Sequence, residues 1–400
     1  MTDAKNTNVL QIYKDGVFAG ALERTAEGCS LVFDQDFRES SKGKGLTYCI
    51  PLTQSRMEYR GVGLPAYFAG LLPEGLRLKA LVRRLKTSED DMFSLLVAAG
   101  MDPVGDIHFK DPEESDKDEE ETELELPKNF SALRDRLKEG ETLGGSSLAG
   151  VQEKASADRI SLPLLGKKRN KSYILKLESK EFPEGIANEY ACLKLAKACG
   201  LQVNEATIVH DENGEAALLV ERFDREWDKK RKQWHRLHQE DACQFLNLYP
   251  ADKYRVSLQK IAEGVAQFSS TPEIEILSLL KLVAFSYLVG NGDLHAKNIS
   301  LIEKNGITQM SPAYDILCTG INGDHTMALL FDGKNQNLKR KTFIEFGERY
   351  NVPGEATASM LKSLTTKFQK HKDLIFSFPL AIEKKAFLTQ MFNERLGHLS

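Results

Sequence analysis

The chain has 400 residues, of which 41% are hydrophobic and 28% charged, and 54 basic against 58 acidic side chains leave a net charge of −4. That length fits two or three folding units, the composition excludes a wholly disordered chain, and the slight acid excess argues against a generally basic nucleic-acid binder. Six cysteines (Cys29, Cys49, Cys192, Cys199, Cys243 and Cys318) form no C-x-x-C pair, which argues against a zinc ribbon or a disulfide scaffold and for reduced, buried thiols in a cytoplasmic protein. The first residues lack the basic-then-apolar pattern of a signal peptide. The most apolar stretch, 276–289, is short and carries Lys281 and two serines, so it reads as a buried helix, and no membrane partner is expected.

In chain order, two strands come first, Val9–Tyr13 and Val17–Leu22. They flank Lys14-Asp15-Gly16, a hairpin turn signal because glycine tolerates positive φ. A helical pattern then runs from about Pro65 to about Gly100. Its five cations, Arg77, Lys79, Arg83, Arg84 and Lys86, read as a solvated face or as a docking surface for an acidic partner. Residues 111–125 hold ten acids against one lysine, a local net of −9. Such a run cannot bury its charges and marks an exposed linker, so the expected division is 1–125, 126–224 and 225–400.

The middle segment opens with a Gly/Ser-rich loop, Leu143 to Gly150, whose small residues let backbone N–H groups converge on a phosphate. It is not a Walker A loop. A strand over Arg159–Leu165, a basic turn and a β-rich run, Ser172–Leu177, carrying Lys176 follow. Next come a helix over about Ala187–Cys199 closed by Gly200, and a hairpin of Ala206–His210 and Ala216–Glu221. After Arg222-Phe223-Asp224 the sequence reads as polar and helical, and mostly helices are expected from about 240 to the end. Phosphate-type loop, strand lysine, helix acid, hairpin and helical region is the order of a protein-kinase small lobe joined by a hinge to a large lobe.

The chemistry is expected in Val289 to Asn298, directly after the apolar helix. Asp293 and Asn298 stand five residues apart, the spacing of the kinase catalytic loop, in which a carboxylate lies beside the attacking hydroxyl and an amide oxygen ligates Mg²⁺. His295 reads as a hydrogen-bonded residue that orients the loop in preference to a general base, since Asp293 already fills that role. Seventeen residues after Asn298, beyond a second hairpin (Ile299–Ile302 and Ile307–Met310), comes Asp315. It reads either as the second metal-binding acid or as a helix N-cap. Its triplet, Asp315-Ile316-Leu317, lacks the Phe-Gly of the kinase switch. Lys176 reads as an edge-strand lysine or as a phosphate-binding charge oriented by Glu189. Glu221 and Phe223 close the hairpin at the expected hinge.

Eight ordered motifs now stand together: Leu71 to Gly75, Ser147 to Lys154, Tyr173 to Lys176, Asn188-Glu189, Val220 to Arg225, His238 to Asp241, Gly290 to Asn298 and Pro312 to Asp315. This series resembles HipA-type serine/threonine kinases, the toxins of HipBA toxin–antitoxin pairs, over about residues 10–320. The resemblance implies an α+β, bilobal, protein-kinase-like fold with a β-rich N-terminal region and an all-helical C-terminal lobe. It implies Asp293 as catalytic base and Asn298 and Asp315 as Mg²⁺ ligands. ATP would be bound by Lys176, by Glu221 and Phe223 at the hinge, by Gln239 in the pocket wall, by Ser147, Ala149, Gly150, Val151 and Lys154 in the phosphate loop, and by His295 and Lys297. Ser147 matches the family's autophosphorylated serine. Some short relatives carry a second serine two positions on, where this chain has Ala149, and Ser146 has no counterpart. The expected partners are a HipB-type helix-turn-helix antitoxin, operator DNA mainly through that antitoxin, and a protein substrate such as an aminoacyl-tRNA synthetase. Competing readings are a pseudokinase-like interaction or co-repressor protein, and a small-molecule or lipid kinase, which the missing Phe-Gly also fits.

Overall fold

In a computed structural model of the chain, the residues described are 4–41, 44–61, 63–99, 103–110, 112, 126–138, 160–166, 171–178, 184–230 and 233–400. The acidic run, apart from Pro112, and the whole Gly/Ser-rich loop lie outside them. The chain divides into two compact units that cross the boundaries expected at 125 and 224. One comprises Met1–Phe182 and Val209–Pro250, the other Pro183–Ile208 and Ala251–Ser400.

The first unit begins with strands β1 (Val9–Lys14), β2 (Val17–Thr25) and β3 (Gly28–Phe33), helix α1 (Gln35–Ser40) and strand β4 (Arg56–Arg60). Helices α2 (Ala66–Gly70), α3 (Gly75–Leu85) and α4 (Met92–Ala99) and strand β5 (Ile107–Lys110) follow. The long helical pattern is therefore broken into three. Glycine at 75, with φ +59°, and Lys86, which ends α3 at φ +50°, interrupt it. The strands form a sheet in the order β4-β3-β2-β1-β5. The β1–β2 turn has Asp15 at φ +44° and Gly16 at φ +79°, the left-handed pair a tight hairpin requires. Leu10, Ile12, Leu22, Leu31, Tyr67, Phe68, Leu95 and Ile107 bury together on one side of this sheet. Four of the five cations lie on α3 and Lys86 caps it; Lys79, Arg83 and Lys86 are exposed, while Arg77 and Arg84 are half-buried.

Helix α5 (Phe130–Lys138) and strands β6 (Ile160–Gly166) and β7 (Lys171–Leu177) come next, then helix α6 (Gly185–Ala198), which belongs to the second unit. Strands β8 (Ala206–His210) and β9 (Ala216–Glu221) complete a sheet in the order β6-β7-β9-β8. Phe130, Leu133 and Leu137 of α5 pack on Leu175 and Leu177 of β7.

The stretch after Asp224 corrects the helical expectation. β10 (Arg225–Asp228) and β11 (Gln233–Arg236) form an antiparallel hairpin in which Trp227 and Trp234 sit directly opposite, ring centroids 5.3 Å apart. A cross-strand aromatic pair of this kind favours strand over helix even beside a run of lysines and arginines. Strand β12 (Gln239–Asp241) and helix α7 (Ala242–Phe245) end the unit, with Asp241 and Gln244 forming a capping box.

The second unit is α6 plus α8 (Leu258–Phe268), α9 (Pro272–Val289), strands β13 (Ser300–Lys304) and β14 (Ile307–Met310), α10 (Arg340–Glu348), α11 (Gly354–His371) and α12 (Ile382–Leu399). The β13–β14 hairpin, expected from the sequence, lies among these helices. Helix α9 is apolar all round because α8, α10, α11 and α12 all pack against it. Phe285, Phe368 and Phe392 form an edge-to-face stack across α9, α11 and α12. The end of α9 is fixed by Gly290, at φ +77°, where a Cβ would lie 2.6 Å from Met391 Cε. No described helix is long and apolar enough to cross a membrane.

Candidate active site

The second unit holds Asp293, His295, Lys297, Asn298 and Asp315; the first holds Lys176, Glu221, Phe223 and Gln239. Ser147, Ala149, Gly150, Val151 and Lys154 lie outside the described residues.

The Asp293 loop is built from the end of α9. Gly290 reverses the chain, and Asn291, buried, accepts the Asp293 N–H on Oδ1 at 3.0 Å. Gly292 leaves no room for a side chain, since a Cβ would lie 2.8 Å from the Thr326 carbonyl and 2.9 Å from Thr319 Oγ1. Thr319 closes the turn, accepting from Gly292 N at 2.7 Å and donating to the Gly290 carbonyl at 3.1 Å. Beyond Asp293, Ala296–Asn298 form one 3-10 turn. The Asp293 carbonyl accepts from His295 N and from Asn298 Nδ2, both at 2.9 Å. The five-residue spacing thus puts both side chains in one closed loop. Because Nδ2 of Asn298 is engaged inward, Oδ1 is the end left to meet a cation.

Asp293 is 2% exposed and Asn298 5%. Asp293 Oδ1 accepts a hydrogen bond from the Tyr254 hydroxyl at 2.8 Å. His295 is fully buried, its ring edge-on to Tyr254 with centroids 5.0 Å apart, which fits the orienting role rather than that of a base.

Asp315 follows Tyr314, whose side chain contacts the residues on either side of Asn298. The Tyr314 hydroxyl donates to the Lys297 carbonyl at 2.7 Å and meets Ser300 Oγ at 2.6 Å. Residues 298 and 315 therefore each stand one position from a bonded pair. Upstream, Ala313 pairs in parallel with Val203, and its N–H donates to the Gln202 carbonyl at 2.8 Å. Asp315 has φ +53° and no helix follows until the 3-10 turn at Thr319–Asn322, so the N-cap reading is discarded. A left-handed non-glycine residue is a strained conformation that persists where its surroundings enforce it. Ile316 and Leu317, where a kinase switch would have Phe-Gly, are buried. Asn188 of α6 holds the next residue, accepting from Cys318 N at 3.0 Å and donating to its carbonyl at 3.2 Å. Burial pushes the Cys318 thiol up to about 12. Asn298 and Asp315 would offer an amide oxygen and a carboxylate, hard donors suited to Mg²⁺, which completes its shell with waters and phosphate oxygens. Among the described residues no three of His, Cys, Asp or Glu cluster as a metal site of their own.

In the first unit, Lys176 lies on β7 between two neighbours, opposite Ser161 of β6 and Leu218 of β9. It is not an edge-strand lysine. The Glu221 carboxylate pairs with Lys171 Nζ at 2.5 Å, and Arg222 N donates to the Ser172 carbonyl at 2.8 Å. Phe223 is half-buried between Arg222 and Asp224, and Gln239 is buried on β12. Glu189, read as the partner of Lys176, is buried on α6 and so belongs to the second unit.

Two charged networks here were not anticipated. Asp224 accepts from Arg222 Nε at 2.9 Å, Arg222 Nη2 at 2.7 Å, Arg225 Nη1 at 2.8 Å and Gly105 N at 3.0 Å. Burial works against its charge, but the two guanidiniums outweigh it and hold the carboxyl near 2. His238, beside Gln239, bridges Asp106 Oδ1 and Glu240 Oε1, each at 2.9 Å, and Asp106 also pairs with Lys14 at 2.8 Å. Burial and the Lys14 charge push His238 down, yet the carboxylates raise it to about 9. These networks bind 103–106 and β1 to the segment 222–240.

Comparison with known proteins adds family evidence. Residues 146–372 match the model of the HipA-like C-terminal domain, and residues 10–110 that of the HipA N-terminal domain. A putative kinase of Sinorhizobium fredii is 30% identical over 335 residues, covering 78% of this chain and 77% of its own length. The serine/threonine-protein kinase toxin HipA of Shewanella oneidensis is 26% identical over 356 residues, 82% of this chain and 79% of that protein. The solved complex of Shewanella oneidensis HipA, HipB and operator DNA contains a chain that superposes with a TM-score of 0.77 at 22% identity, covering 98% of this chain and 96% of that one. At that identity the likeness establishes the fold, α+β and kinase-like.

Proposed function

This chain belongs to the HipA-like kinase family, and from that premise we propose that it is an ATP-dependent serine/threonine protein kinase acting as a growth-arresting toxin. One observation carries the reading: Asp293 and Asn298 share a closed loop to which Tyr314 ties the segment bearing Asp315. Asp293 accepts the proton of the acceptor hydroxyl, while Asn298 and Asp315 would hold Mg²⁺, which would offset the charge on the transferring phosphoryl group. Lys176 binds the nucleotide phosphates, and Glu221, Phe223 and Gln239 line the base. With the Glu221 carboxylate and the Arg222 N–H engaged within the unit, contact with adenine falls to other backbone groups of the hinge. His295 and Lys297 belong to the same loop as the base. Ser147, Ala149, Gly150, Val151 and Lys154 form the phosphate loop. Phosphorylation of Ser147 adds about −1.5 to −2 charges where ATP phosphates bind and switches the enzyme off.

The solved relative is a complex of HipA with HipB and operator DNA. By analogy the partner of this chain is a HipB-type antitoxin, with operator DNA bound mainly through it, in the cytoplasm. The substrate is a component of translation such as an aminoacyl-tRNA synthetase. Phosphoproteomics after brief induction of the intact chain, compared with Asp293→Gln, tests the whole reading. New phosphoserine or phosphothreonine on a translation protein, with growth arrest, is expected for the intact chain alone. Identical phosphoproteomes in the two strains overturn it.

A further inference from the structure

We propose that helix α12 braces the candidate catalytic loop, with Arg395 and Met391 as positioning residues that hold the segment 319–326 against residues 290–293. The inference rests on the reading of Asp293 as the base. In the sequence, residues 382–399 read as helical and carry no motif.

Three observations carry it. The first is a fork. Arg395 is buried, its Nη1 donates to the Tyr287 carbonyl in the last turn of α9, and its Nη2 donates to the His325 carbonyl. The guanidinium also lies over the Tyr287 ring, 4.6 Å from the centroid. A planar guanidinium spans two acceptors at a fixed separation, which the compact ammonium of lysine does less well. A cation is also favoured at the carbonyl end of a helix. Arg395 thus ties the helix that leads into the catalytic loop to the segment that follows Asp315. The second is where that segment lies. Gly320 N donates to the Gly290 carbonyl at 3.1 Å, and Thr319 Oγ1 accepts from Gly292 N at 2.7 Å. The Thr326 carbonyl and Asp324 Oδ1 stand 2.8 and 2.9 Å from where a Gly292 Cβ would be. The neighbours of His325 on both sides therefore form the wall on which the turn before Asp293 rests. The third is a notch. Leu388, Met391 and Arg395 recur at helical spacing on one face of α12. Met391 Cε stands 2.6 Å from where a Gly290 Cβ would be and 3.4 Å from that of Gly320. One thioether thus covers two glycines, one from each of the segments that are held together.

Both side chains act through the backbone. The turn at 290–293 sets the direction from which the Asp293 side chain projects, and general base catalysis depends on hydrogen-bond reach to the acceptor. A purely structural α12 gives a lower melting midpoint and an unchanged rate as long as the chain stays folded. A bracing α12 gives a lower rate in chains that are fully folded.

The test uses the full chain well below its melting midpoint and follows γ-phosphoryl transfer from Mg·ATP to protein in a cell lysate. It compares the wild type with Arg395→Met, Arg395→Lys, Met391→Ala and Asp293→Asn, and measures amide hydrogen exchange of each chain without nucleotide. Arg395→Met is expected to lower kcat about 10- to 100-fold with the KM for ATP unchanged. Its exchange is expected to quicken in peptides covering 290–298 and 317–327 and to stay at the wild-type rate in the first unit. Arg395→Lys keeps the charge and is expected to recover part of the rate. Met391→Ala leaves the Arg395 fork in place and is expected to change kcat and exchange in the same direction; it carries the test where Arg395→Met does not fold. If Asp293→Asn is inactive while Arg395→Met, or in its stead Met391→Ala, matches the wild type in kcat and exchange, the bracing role is overturned and the base assignment stands. If Asp293→Asn transfers phosphate normally, the base assignment fails and takes this inference with it.

Discussion

Replacing Tyr314 by phenylalanine keeps the ring and removes one oxygen. That oxygen ties the segment bearing Asp315 to the loop bearing Asn298, since it donates to the Lys297 carbonyl at 2.7 Å and meets Ser300 Oγ at 2.6 Å. Ser300 is fully buried, so water does not replace the bond to Tyr314. Two hydrogen bonds at about 1 kcal/mol each give a loss of about 2 kcal/mol. For a unit the size of the second one, this corresponds to a midpoint lowered by about 4–8 °C in calorimetry of the full chain. The functional effect is expected to exceed the effect on stability. In the proposed reading Asn298 and Asp315 hold one cation, so loosening Tyr314 from Lys297 displaces Asp315, and an ångström of misplacement costs about 100-fold in phosphoryl transfer. A Tyr314→Phe chain with unchanged midpoint and unchanged transfer refutes the claim that this hydroxyl assembles the site.

Three further outcomes follow from the same contacts. Asp224→Asn removes the carboxylate that pairs with the buried Arg222 and Arg225 and is expected to destabilise the first unit by about 3–5 kcal/mol, read by urea unfolding; wild-type stability contradicts the network's role. His238 has its pKa raised in the fold to about 9 from 6.5. Its stabilisation is therefore complete below pH 6.5 and lost as pH rises toward 9; melting midpoints of the wild type decline across that window and those of His238→Gln do not, whereas parallel curves refute the assignment. Gly292→Ala puts a Cβ 2.8 Å from the Thr326 carbonyl and is expected to displace the Asp293 loop and lower phosphoryl transfer by about 100-fold; full activity shows that the turn tolerates a side chain.

What the sequence disclosed was mostly local. Lys14-Asp15-Gly16 and Lys304-Asn305-Gly306 announce hairpins because their central residues accept positive φ, as they do here at +44° and +79°, and at +53° and +77°. The apolar run before Gly290 announces α9, and the five-residue spacing of Asp293 and Asn298 announces a closed loop. The hairpin at 225–236 was hidden because Trp227 and Trp234 are separated by a charged run that reads as helical, and only their pairing across the turn shows the strand period. Asp315 was ambiguous because an aspartate suits both a helix cap and a left-handed turn. Tyr254, and the link from Lys14 to His238 across 224 positions, left no sequence signal at all. Such contacts depend on tertiary packing and not on any local pattern.

The central claim is that Asn298 and Asp315 offer their oxygens to one cation while Asp293 does the proton chemistry. Paramagnetic resonance of Mn²⁺ binding in the presence of ATP measures this directly. Asn298→Ala and Asp315→Asn are each expected to weaken Mn²⁺ binding about 10- to 100-fold, while Asp293→Asn leaves it near the wild-type value and abolishes transfer. Wild-type Mn²⁺ affinity in both ligand variants contradicts the account.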